Sequence, residues 1–64
     1  MTDDQLRRIR AQQERVDHIR RDIDRLRTAG AHGAAADRSR EAQLRQLEYL
    51  LRGAVDELIR LQRA

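Results

Sequence analysis

The sequence predicts an all-α protein: an antiparallel two-helix hairpin that pairs with a second hairpin to make a four-helix bundle. Three observations predict it. Apolar residues recur at heptad spacing in both halves of the chain. A single turn signal lies near the middle. Proline is absent, while Ala, Leu, Arg, Gln and Glu dominate, residues that lose little rotamer freedom in a helix.

Helix 1 is expected over about residues 3–29. Thr2 and Gln5 fit a capping box, and Asp3 and Asp4 set negative charge on the positive end of the helix dipole. Its apolar residues are Leu6, Ile9, Val16, Ile19, Ile23 and Leu26. Ile9, Val16 and Ile23 repeat every seven residues, with Ile19 and Leu26 at the complementary core position and Gln12 as its one polar member. The pattern stops at Thr28 and Ala29. Gly30 suits the left-handed residue that closes a helix, and Gly30, Ala31, His32 and Gly33 form the expected turn.

Helix 2 is expected over about residues 34–63, with its start anywhere from Ala34 to Ser39, since Asp37 and Ser39 are both N-cap candidates. Leu44, Leu47, Leu51, Ala54, Leu58 and Leu61 form its seam. Gly53 sits inside it at a cost of about 1 kcal/mol relative to alanine. Leu50, Val55 and Ile59 lie beside the seam, so the second half of this helix is apolar over more than the stripe that one partner helix covers.

A four-residue turn makes the helices antiparallel neighbours. A turn centred near residue 31 or 32 pairs residues whose numbers sum to about 63. Ile19 then meets Leu44, Val16 meets Leu47, Gln12 meets Leu51 and Ile9 meets Ala54. Arg20 falls near Glu41, Arg8 near Glu57 and Leu6 near Val55. The intra-hairpin core is therefore expected to hold Leu6, Ile9, Gln12, Val16, Ile19, Ile23, Leu26 and Leu44. It should thin toward the turn, where Ile23 and Leu26 face Ala36, Asp37 and Arg40, and hold its stability around Ile9, Leu51, Val55 and Leu58.

Sixty-four residues allow one domain, and a chain this short rarely builds a sufficient core alone. With no cysteine and two histidines, disulfides and thiolate metal sites are excluded and an all-protein zinc site is not expected. Association is the remaining route to stability. The expected oligomer interface comprises Leu47, Leu50, Leu51, Ala54, Val55, Leu58, Ile59 and Leu61, with a homodimer the simplest outcome.

All 14 basic residues are arginine, as the codon bias of a GC-rich genome would produce, and 11 acids leave a net charge of +3. The charges are interleaved, +2 over residues 1–29 and +1 over residues 34–64, which describes a mixed surface and not a polybasic arm. No signal-peptide pattern opens the chain and no apolar run could span a membrane. Met1 leading straight into a helix cap is expected to be a native start, and the cytoplasm is the default location.

Tyr49, the only aromatic residue, points away from the seam among Arg38, Arg45, Arg52 and Arg60. An aromatic in an arginine row can stack a base while guanidinium groups hold phosphates. The plainer reading is a solvated face, since Glu41, Glu48 and Asp56 dilute the row. His18 and Asp22, four apart, read as a surface hydrogen bond, because a metal site needs three or four ligands. Gln12 reads as a register-setting polar residue and not a catalytic one. There is no Ser–His–acid set, no Gly-rich phosphate loop and no cluster of buried carboxylates, so neither an enzyme nor a cofactor is expected.

In outline the chain resembles the small helical-hairpin dimers, a group that includes a plasmid RNA-binding protein. The likeness spans the whole length and is architectural, with no motif matching residue by residue. It is also similar in outline to the two-helix hairpin protein of the large ribosomal subunit, from which the acid-rich surface here departs. The expected function is a self-associating interaction module that contacts itself and another protein. The alternative is a small nucleic-acid-binding regulator that uses the Tyr49 face.

Overall fold

The computed structural model describes residues 2–28 and 33–63, which form two helices, α1 over Asp3–Thr28 and α2 over Ala34–Arg63. They pack against each other along their length as a hairpin with principal extents of 51 × 15 × 11 Å. Gly30 and His32, expected in the turn, lie outside the described residues.

The helix ends follow local chemistry. Thr2 caps α1: its hydroxyl accepts the Gln5 N–H at 3.2 Å and its carbonyl accepts the Leu6 N–H at 3.0 Å. Asp3 and Asp4 occupy the first turn of α1, and Arg25 and Arg27 the last, each charge complementing the helix dipole. The Thr28 hydroxyl donates to the carbonyls of Asp24 and Arg25 at 2.9 and 3.2 Å. Helix α2 begins at the early edge of its expected range. Gly33, with φ of 103°, accepts the Asp37 N–H at 3.0 Å on its carbonyl and so stands at the cap position considered for Asp37 or Ser39. Asp37 instead lies in the first turn of α2, with Arg40 at 3.7 Å.

The register differs from the expected one. Gln12 donates from Nε2 to the Ala54 carbonyl at 2.9 Å, three residues further along α2 than Leu51. The displacement shifts the α2 seam along α1 by about one core layer. The packing agrees: Val16, Ile19, Ile23 and Ala54 form one buried cluster, against which Leu44, Leu47, Leu51, Val55 and Leu58 pack. Heptad periodicity alone admits either register, because a slip of one layer carries seam onto seam. Gln12 separates the two. Leu51 carries a bulky side chain that would crowd the amide away from the α2 backbone, whereas the small Ala54 leaves room for it to reach a carbonyl.

Three consequences follow from the slip. The expected flanking pairs Arg20–Glu41 and Arg8–Glu57 do not form. Glu41 and Glu57 pair instead within α2, with Arg45 at 4.0 Å and Arg60 at 3.6 Å, and the inter-helix ion pair is Arg27–Glu48 at 3.3 Å. The core does not thin at Ile23, which is buried, while Leu26 is half-buried. Ile9 is buried but lies outside the main cluster, while Leu51, Val55 and Leu58 pack against that cluster as expected, so packing is concentrated in the middle of the hairpin. Leu6, expected in the core, is 46% exposed. It follows the core position occupied by half-buried Gln5 and so flanks the seam.

The two described glycines should respond oppositely to alanine. A Cβ meets nothing within 4 Å at either site, but only Gly33 has positive φ. Gly33→Ala is expected to cost about 1–2 kcal/mol, and Gly53→Ala to gain about 1 kcal/mol, both read by denaturant unfolding. The reverse order would contradict the α2 boundary. Gln12→Leu removes one hydrogen bond but buries a full aliphatic side chain, and the Ala54 carbonyl keeps its helical partner. Its melting temperature is expected to rise by about 4–8 °C per kcal/mol gained. A fall would show that the amide stabilises the hairpin as well as aligning it.

Candidate functional site

Three surfaces of the hairpin carry side chains that the intramolecular fold leaves uncovered. They are separated by helix geometry. Residues nine apart lie on opposite sides of an α-helix at 3.6 residues per turn. Leu50 and Ile59 are nine apart, so they flank the α2 seam on opposite sides. Both are open to solvent, at 44% and 42% exposure.

The Ile59 side is the more apolar. A shallow groove runs between the helices there, lined by Gln13, Val16, Asp17 and Arg20 of α1 and by Val55 and Leu58 of α2. Val55 and Leu58 are half-buried, and Ile59 continues the same side of α2. Leu6, seven residues before Gln13 and hence in the same column of α1, adds a further aliphatic side chain near the open end. Asp17 and Arg20 give the groove one charge of each sign, and neither makes an ion pair among the described residues.

The Leu50 side is poorer in hydrocarbon. Its column on α2 places exposed Gln43 and Glu57 one heptad before and after Leu50. Of the expected interface residues, Leu47, Leu51, Val55, Leu58 and Leu61 are half-buried by the hairpin itself. Ala54 is already buried there, with its carbonyl engaged by Gln12.

The outward face of α2 carries Tyr49, which is 77% exposed. Shallow hollows beside its ring are lined by Glu48, Arg52, Gly53 and Asp56. Gly53 contributes by presenting no side chain next to the ring. The arginines expected to accompany Tyr49 divide into two kinds. Arg45 and Arg60 are held near Glu41 and Glu57, whereas Arg38 and Arg52 make no ion pair among the described residues. Exposed pairs of this kind contribute a few tenths of a kcal/mol at most, so they dilute the field of the row without fixing it.

On the far side of α1, His18 Nε2 lies 3.5 Å from an Asp22 carboxylate oxygen, the surface contact that their spacing suggests. Among the described residues no group of three or more His, Cys, Asp or Glu could hold a metal ion. No helix is long and apolar enough to cross a membrane. Sequence reasoning picked out Val55 and Ile59 but missed Gln13, Asp17 and Arg20. Their signal was available in the column shared by Leu6, Gln13 and Arg20, which becomes informative only once the two helices are aligned. Comparison with protein-family models, with curated proteins and with solved structures finds no match to this chain, so its functional reading rests on its own residues.

Proposed function

We propose that this protein is a self-associating helical hairpin that works as an adaptor or regulator through protein–protein contacts. The observation that carries this reading is the surface left over after the hairpin forms. The chain exposes 5377 Å², whereas a compact protein of its 7.5 kDa mass exposes about 4,250 Å². The surplus, about 1,100 Å², exceeds the roughly 800 Å² that each partner contributes to a standard stable interface. The radius of gyration points the same way, at 15.1 Å against about 10.7 Å for a compact chain of this length. Two helices make a single layer, and globular domains are built from at least two.

Leu6, Leu50 and Ile59 lie on this surplus surface, and covering a large aliphatic side chain is worth about 1.5–3 kcal/mol. A second hairpin supplies the missing layer, and the two-fold bundle is its simplest form. Aliphatic and aromatic side chains left at the rim would then dock a further protein, with arginines setting its orientation.

Light scattering at tens of micromolar is expected to return a molar mass about twice that of the chain, and the melting temperature should rise with protein concentration. A single-chain mass with concentration-independent melting would dispose of self-association.

A second reading has one observation in its favour: the open ring of Tyr49 beside the ion-pair-free Arg52. On that reading the chain binds single-stranded nucleic acid by stacking and phosphate contacts. Affinity for an RNA or DNA oligonucleotide should then fall by one to several decades between about 50 and 200 mM salt, and Tyr49→Ala should weaken it. No binding at low salt removes this reading and leaves the protein-contact one standing.

A further inference from the structure

We infer that the second copy docks on one side of the hairpin only, the Leu6–Val55–Leu58–Ile59 side with its Asp17 and Arg20 rim, and leaves the Leu50 side free. The inference rests on the self-association proposed above and adds where it happens. Leu50 and Ile59 lie on opposite sides of the α2 seam, so one flat partner surface covers one of them and not both.

Hydrocarbon decides between the sides. The Ile59 side combines two residues that are more than 40% exposed, Leu6 and Ile59, with half-buried Val55 and Leu58 along the groove. Leu50 has half-buried Leu47 beside it but no second exposed aliphatic side chain, and it stands between exposed Gln43 and Glu57, while Ile59 has exposed Arg52 one heptad before it. The column next to an a/d seam is also the one that widens an apolar stripe from a two-helix contact to a bundle core.

Charge decides the occupant. An isologous contact brings a patch against its own copy, so a patch of one sign repels itself and a patch of both signs can match. Asp17 and Arg20 supply both signs at the groove, and neither is engaged within the hairpin among the described residues. A second copy offers each of them an opposite charge across the interface.

The test compares Ile59→Glu with Leu50→Glu by sedimentation equilibrium, with circular dichroism to confirm that each variant stays helical. Both positions are more than 40% exposed in the hairpin, so a carboxylate at either should leave the hairpin itself intact. Ile59→Glu is expected to weaken dimerisation about 100-fold or more, since two-fold symmetry buries the new charge twice. Leu50→Glu is expected to leave the dissociation constant within about threefold, since surface substitutions act weakly. A dimer broken by Leu50→Glu, by both variants or by neither would overturn the assignment of the face while leaving self-association in place. A wild-type chain that is monomeric at the same concentrations would instead overturn self-association itself.

Discussion

The alignment of the two helices depends on one amide. Gln12 sits among the aliphatic residues of the α1 seam, and its Nε2 donates to the Ala54 carbonyl at 2.9 Å. Every aliphatic layer in the hairpin tolerates displacement by one layer, because leucine opposite isoleucine packs about as well as leucine opposite valine. The half-buried Gln12 amide is less tolerant, because displacement breaks its hydrogen bond to the Ala54 carbonyl, worth about 0.5–1.5 kcal/mol. The hairpin therefore settles where the amide is satisfied, and the hydrophobic layers follow.

How the remaining polar groups are distributed supports this division of labour. Ion pairs among the described residues lie on the surface at 3.3–4.0 Å, and apart from Arg27–Glu48 those named above join residues of the same helix. They stabilise helices locally and say little about which helix faces which. Arg27–Glu48, near the turn end of α1, joins the two helices. No buried side-chain polar atom among the described residues is left without a hydrogen bond. The middle of the seam is therefore aliphatic apart from the Gln12 amide, which is bonded to the Ala54 carbonyl.

The hairpin and the Thr2 cap that starts α1 were legible in the sequence because each depends on spacing or on chemistry within one turn, whereas the start of α2 was open between Ala34 and Ser39. Ile9, Val16, Ile19, Ile23 and Ala54 are buried where their heptads put them. The pairing between helices was not legible. Arg20–Glu41 and Arg8–Glu57 looked like independent support for a register, but exposed arginines find acids in many registers: Arg45 and Arg60 reach those same acids from within α2. Gln12 was recognised as a register residue, yet its partner is a backbone carbonyl, and every residue of α2 has one of those. What pointed to Ala54 was its size, the one small residue among the leucines of the seam. The surfaces around Tyr49 and Ile59 were legible as places, since a helix wheel locates them, but not as occupied or vacant sites.

The slip also explains why the hairpin has a surface to offer. In the expected register Leu6 and Val55, both on the same side of the seam, would have covered each other. One layer of displacement moves Val55 toward the open middle of α1, where it lines the groove with Gln13, Val16 and Asp17, and leaves Leu6 nearer the end of α2. Each loses the other as cover, and Leu6 becomes 46% exposed. The contact that satisfies Gln12 inside the hairpin thus separates two aliphatic side chains outside it. Aligning the amide and exposing an apolar flank are one event. Any chain of this pattern that satisfies a seam glutamine by a one-layer slip will carry the same unfilled flank, and a second layer of helices is what such a flank lacks.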